Sequence, residues 1–135
     1  RANGVDFMEV FGKDHADSFL LLESGRADAF VMDSQILAGN IANSKNPADF
    51  KIVGEVLNVE PIAIMFRKDD PAIKKLADDT IASLAKSGEL AKLYDKWFVQ
   101  PIPPKGIKLG MPASDANKDA WKNLNDKPVE AYAKK

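Results

Sequence analysis

Short apolar runs alternate with longer segments of helical spacing in the first part of the chain. Three runs have strand length: Asp6–Phe11, Ala29–Met32 and Phe50–Val53. Between the first two, an apolar-rich helix is predicted to begin after Asp14 and to close at Gly25, a residue that suits a helix C-terminus. A second helix is predicted to begin at Asp33-Ser34. The order strand, helix, strand, helix, strand predicts an α/β fold with an open parallel sheet.

A second structural unit is predicted to start at Pro61, since proline favours an extended residue before it and an apolar strand follows. The next helix has a capping residue, Asp70, followed by proline at its first position, and it continues to Gly88. A further helix carries an aromatic stripe for which helical spacing favours core packing over ligand stacking, namely Tyr94, Trp97 and Phe98. Prolines from position 101 end it.

The tail is polar and is predicted to contain one short helix. It runs from Ser114 to about Leu124 and is expected to direct three side chains inward: Ala120, Trp121 and Leu124.

Composition excludes several classes of function. The 135 residues include 45% hydrophobic and 29% charged residues, and the net charge of −1 gives no field for attracting nucleic acid. There is one histidine, no cysteine, no phosphate-binding loop and no Gly-x-Ser-x-Gly segment, so a hydrolytic triad or a transition-metal site has too few groups. No catalytic residue, metal or cofactor is therefore predicted.

Candidate chemistry lies after the predicted strands, because ligands of open α/β sheets bind at the carboxyl ends of strands. Asp33 can accept hydrogen bonds from an ammonium group, and His15 can donate to a carboxylate. Two alternatives stay open: Asp33 or Ser34 caps the helix that follows, and His15 is a solvated or packing residue. Asp14 and Asp17 are predicted to be capping and first-turn charges.

Several strings in combination resemble the polar amino-acid family of periplasmic binding proteins: Lys13–Phe19, Leu22–Asp33, Arg67–Pro71, Ser87–Glu89 and Tyr94–Phe98. The segment Pro101–Lys105 and the tail behind it are most similar to the glutamate/aspartate-binding subgroup. The resemblance covers nearly the whole chain and is weakest after about Lys118.

This resemblance implies part of a two-lobe type II periplasmic-binding fold. Residues 1–56 are expected to belong to the second α/β lobe, residues 57–62 to a hinge crossing, and residues 63–135 to the returning C-terminal part of the first lobe with an extended tail. By position, Asp33 matches the family aspartate that binds the ligand α-ammonium, and His15 matches the subgroup histidine near the side-chain carboxylate.

The family's clamp for the α-carboxylate is supplied ahead of the segment that this sequence matches. None of the three arginines lies after a predicted sheet strand in the crevice position: Arg1, Arg26 and Arg67. The chain is therefore expected to be a fragment that binds weakly by itself, and an uncovered lobe surface is expected to favour a swapped or lobe-mediated dimer.

The resemblance implies a non-enzymatic, exported solute-binding component of an amino-acid ABC importer. It would bind glutamate or aspartate in the periplasm, without a cofactor, and present it to the membrane permease. Two alternatives remain on the same fold: a dehydratase-like enzyme that uses His15 or Asp33 as acid or base, and a ligand-sensing domain of a receptor or regulator.

Overall fold

The computed structural model describes residues 4–132 and divides the chain into two compact units, Arg1–Ile52 and Val53–Lys135, called here the N-terminal and C-terminal units. The predicted hinge crossing at residues 57–62 rests on the two-lobe fold of the family and stays a prediction. No helix in the described range is both long and apolar enough to cross a membrane.

The N-terminal unit contains two helices, α1 (His15–Glu23) and α2 (Ser34–Asn43), followed by a 3-10 turn at Pro47–Asp49. Phe19 of α1 is buried, and its ring lies 5.0 Å from the ring of Phe50. Since Phe50 follows the 3-10 turn directly, this contact holds the end of the unit against α1.

The C-terminus of α1 confirms the predicted glycine stop. Gly25 has a positive φ of 71°, which glycine adopts without the steric cost of a Cβ. The amide of Arg26 donates to the carbonyl of Leu21 at 2.8 Å, and the amide of Gly25 donates to the carbonyl of Leu22 at 3.0 Å. These two bonds form a Schellman motif, which satisfies carbonyls that the helix leaves unpaired.

The C-terminal unit contains α3 (Pro71–Lys86), α4 (Glu89–Tyr94) and α5 (Asp115–Lys122), with a final 3-10 turn at Val129–Tyr132. The predicted start of α3 is confirmed, because the Asp70 carboxylate accepts a hydrogen bond from the amide of Ile73 at 3.1 Å. The start of α5 is confirmed as well, where Ser114 and Asn117 form a reciprocal capping box.

The helix after Gly88 differs from its predicted form in its last turn. Residues Asp95–Val99 form a π-helical turn, closed by the amide of Gln100 donating to the carbonyl of Asp95 at 2.9 Å. Helical spacing does not distinguish this wider turn from an α-helix. Tyr94 and Phe98 stack at 4.5 Å but are only half-buried, and Trp97 remains 44% exposed, so the predicted core packing of the stripe is met in part.

The tail helix α5 is formed, but only part of its predicted inward face is covered. Trp121 lies against Tyr94, with ring centroids 5.5 Å apart. Ala120 and Leu124 are exposed, contrary to the prediction. Ahead of α5, Ile102 and Ile107 form an isolated antiparallel bridge around a turn with a cis bond between Pro103 and Pro104.

The predicted strands are not formed in the described residues 4–132, so the predicted sheet is corrected here. Helix hydrogen bonds are local, whereas a strand depends on neighbouring strands that are distant in sequence. An apolar run indicates a tendency to be buried, but it does not supply that neighbour. The side chains of these runs remain uncovered, with exposures of 86% at Met8, 75% at Val31, 75% at Val53 and 98% at Ile62.

Candidate functional site

Asp33 lies at the N-terminus of α2, and its carboxylate has no hydrogen-bond or ion-pair partner among residues 4–132. Its carbonyl accepts the first helical hydrogen bond, from the amide of Leu37 at 2.9 Å, but its side chain makes no capping bond. Ser34 does not cap the helix either, since its hydroxyl lies 3.2 Å from the Gln35 amide oxygen and donates to it. Both capping alternatives therefore fail. The Asp33 side chain is exposed, with its oxygen atoms available to accept hydrogen bonds.

His15 is the first residue of α1, and its side chain is exposed. Capping of this helix is carried out by its neighbours. The Asp14 carboxylate accepts from the amide of Asp17 at 2.8 Å, and the Asp17 carboxylate accepts from the amide of Lys13 at 2.9 Å. The prediction for the two aspartates is confirmed. Because they satisfy the start of the helix, the imidazole of His15 has no structural hydrogen bond to maintain within the described chain.

Gly12 positions the start of α1, a role that the sequence analysis missed. A Cβ at this position would lie 2.5 Å from the amide nitrogen of Ser18 and 2.6 Å from its hydroxyl oxygen. Only glycine therefore allows the backbone to approach the first turn of the helix so closely. The sequence feature that could have indicated this role is the position of Gly12, between an apolar run and the capping segment Lys13-Asp14.

The two candidate residues stand at the first turns of consecutive helices in one unit. Within the described residues, no hydrogen bond or ion pair joins His15 to Asp33, so the structure does not assemble them into an acid-base pair. A carboxylate can accept from an ammonium group, and an imidazole N–H can donate to a carboxylate. Residues 4–132 contain no group of three or more residues arranged to hold a metal ion.

Of the three arginines, Arg26 lies in the described part of the N-terminal unit. Arg26 donates from Nε to the Ser24 hydroxyl at 3.3 Å, next to the end of α1. Arg67 lies in the C-terminal unit, and Arg1 is outside the described residues. The predicted lack of an α-carboxylate clamp stays a prediction.

A surface cavity of about 620 Å³ lies in the C-terminal unit and includes neither candidate residue. Five of its seven lining residues are charged, and together they surround the start of α3: Phe66, Arg67, Lys68, Asp69, Asp70, Pro71 and Lys74. Asp70 is engaged in capping α3, whereas the Asp33 carboxylate makes no capping bond.

The chain belongs to the bacterial extracellular solute-binding proteins, family 3, whose sequence model matches residues 1–100. Membership in this family implies a two-lobe type II periplasmic-binding fold.

The chain is also similar to three curated relatives. It is 51% identical over 120 residues to the glutamate/aspartate import solute-binding protein of Escherichia coli, which covers 89% of this chain and 40% of the relative. It is 46% identical over 121 residues to the L-glutamate/L-aspartate-binding protein of Pseudomonas aeruginosa, covering 90% of this chain and 40% of the relative.

The third match, to an ABC transporter glutamine-binding protein of Bacillus subtilis, is weaker. It has 28% identity over 86 residues, 64% of this chain and 30% of the relative. The chain thus spans about two fifths of the length of its more similar relatives.

Proposed function

We propose that the chain is part of the solute-binding component of an ABC importer for glutamate or aspartate, acting in the periplasm. The observation that carries the proposal is the identity of about half over 120 residues with a glutamate/aspartate import solute-binding protein. The relatives named above are binding proteins, and no observation favours a dehydratase-like enzyme or a sensor.

Within this proposal, Asp33 holds the α-ammonium group of the ligand. Its support is the carboxylate that neither caps α2 nor pairs with a cation among the described residues. A charge-assisted hydrogen bond from an ammonium group is the contact that such an acceptor makes best. Every amino acid carries this ammonium, so Asp33 sets affinity for the class of ligand.

In this proposal, His15 contacts the side chain of the ligand and distinguishes acidic from neutral ligands. Its support is an exposed imidazole at the first turn of α1, where Asp14 and Asp17 already meet the helix's capping needs. An imidazole N–H can donate to the side-chain carboxylate that glutamate and aspartate have and that glutamine lacks. His15 thereby sets preference within the class.

We also propose that residues 1–56 belong to the second lobe, residues 57–62 to a hinge crossing and residues 63–135 to the returning part of the first lobe. The ligand would bridge the two lobes and favour the closed form, which the permease would recognise. Nothing in the described contacts or in the relatives supports the predicted dimer, and we do not propose it.

Isothermal titration of the complete protein with glutamate, aspartate, glutamine and histidine tests this function. We expect binding of glutamate or aspartate, with weaker binding of the other two amino acids. Absence of binding to all four would overturn the proposal, and a preference for histidine or glutamine would overturn the assigned ligand class.

A further inference from the structure

The C-terminal segment, residues 101–132, lies beyond the part of the chain that the family model matches, which ends at residue 100. Part of it is nevertheless matched by the glutamate/aspartate relative. A match of 120 residues within a chain of 135 leaves 15 residues outside, so it ends at residue 120 or later. At least residues 101–120 of the segment are thus matched by the glutamate/aspartate relative, while the general family domain ends at residue 100.

This segment touches the end of α4 and its π-helical turn at two points. The amide of Met111 donates to the carbonyl of Phe98 at 2.9 Å. The ring of Trp121 lies 5.5 Å from that of Tyr94 at an interplanar angle of 59°, and Tyr94 in turn stacks on Phe98 at 4.5 Å. A tilted aromatic contact on a stacked pair is a favourable geometry for rings.

A third contact joins the segment to α3. The Asp126 carboxylate lies 3.3 Å from the ammonium nitrogen of Lys74, which also donates to Asp78 at 2.7 Å. Hydrogen bonds from Lys74 to Asp78 and then to Asp126 are the main causes that raise the pKa of this lysine. All three side chains are exposed, so this network contributes little to stability.

We infer that residues 101–132 form a clasp that covers the Tyr94–Phe98 aromatic surface and keeps α4 and its π-helical turn folded. Helix α4 has only six residues and ends in a π-helical turn of five. Helices this short are unstable without tertiary packing, and π-helical turns are uncommon. The clasp supplies that packing through a backbone hydrogen bond and an aromatic contact, without using Asp33 or His15.

Hydrogen exchange of the complete protein tests the clasp. Replacing Trp121→Ala removes the ring that covers Tyr94, and the matched control Lys122→Ala changes an exposed neighbour on the same helix. We expect amides of residues 89–100 to exchange about tenfold faster in Trp121→Ala and at the wild-type rate in the control, since an aromatic pair contributes on that order. Trp121→Phe is expected to restore most of the protection.

Unchanged exchange in residues 89–100 of Trp121→Ala, with faster exchange confined to α5, would refute the clasp. If the alanine variant does not fold, Trp121→Leu replaces it, and faster exchange of residues 89–100 supports the clasp while unchanged exchange refutes it. Glutamate affinity is expected to stay the same in the folded variants. A protein that binds no amino acid but shows the exchange pattern would refute the proposed function alone.

Discussion

The close approach of Gly12 to α1 makes Gly12→Ala a sharp test of how the chain positions His15. The added Cβ would lie 2.5 Å from the Ser18 amide nitrogen, whereas ordinary contacts of a Cβ are 3.4–4 Å. The obstacle is backbone that already forms the first turn of α1, so it cannot rotate away. Overpacking of this kind costs about 1–3 kcal/mol of stability.

Gly39→Ala is the matched control for this substitution. Gly39 lies inside α2, and a Cβ there would meet no atom within 4 Å. Alanine restricts the unfolded chain more than glycine does, so this variant is expected to gain roughly 0.5–1 kcal/mol. The same substitution is thus expected to lower the stability of the protein at position 12 and to raise it at position 39.

Urea denaturation of the complete protein, followed by circular dichroism, measures both effects. The expected midpoint falls for Gly12→Ala and rises slightly for Gly39→Ala, with unchanged slopes. A Gly12→Ala variant as stable as the wild-type protein would refute the close approach. Equal losses in both variants would show that the glycines matter for a reason other than the Ser18 contact.

Two further substitutions test the site and the helix caps. His15→Ala is expected to lower affinity for glutamate and aspartate in calorimetric titrations while leaving that for glutamine nearly unchanged; an equal loss for all three would contradict its role with the side-chain carboxylate. Asp70→Ala removes the bond to the Ile73 amide and is expected to cost about 1 kcal/mol in urea denaturation. Its control is Asp79→Ala, which removes only the exposed pair with Lys75, and a larger loss in the control would refute the cap.

The helices were predictable because their signals are local. Asp70-Pro71, Ser114 and Gly25 act through hydrogen bonds or dihedral angles within a few residues, and each performs its predicted role in the structure. The strands were not predictable in this way, because an apolar run such as Phe50–Val53 forms a strand only when a second strand lies beside it. In the described structure, Phe50 packs on Phe19 instead.

For the candidate site, the sequence predicted the residue types and what they can bind, but not the contacts that their side chains make. Sequence left open whether Asp33 caps α2, and the observed side chain makes no such bond. That outcome depends on the backbone angles at the helix start, which residue type alone does not determine. Gly12 was missed for a similar reason, because its importance lies in a contact with Ser18 rather than in its own type.

The most direct test of the account is a calorimetric titration of glutamate and glutamine into the Asp33→Asn variant of the complete protein. Asp28→Asn, another exposed aspartate of the same unit, is the control. Removing the charged acceptor is expected to weaken binding of both ligands by about 10- to 150-fold, the range for a hydrogen bond to a charged group. Wild-type affinity in Asp33→Asn, or an equal loss in Asp28→Asn, would contradict the assignment of Asp33 to the ligand ammonium.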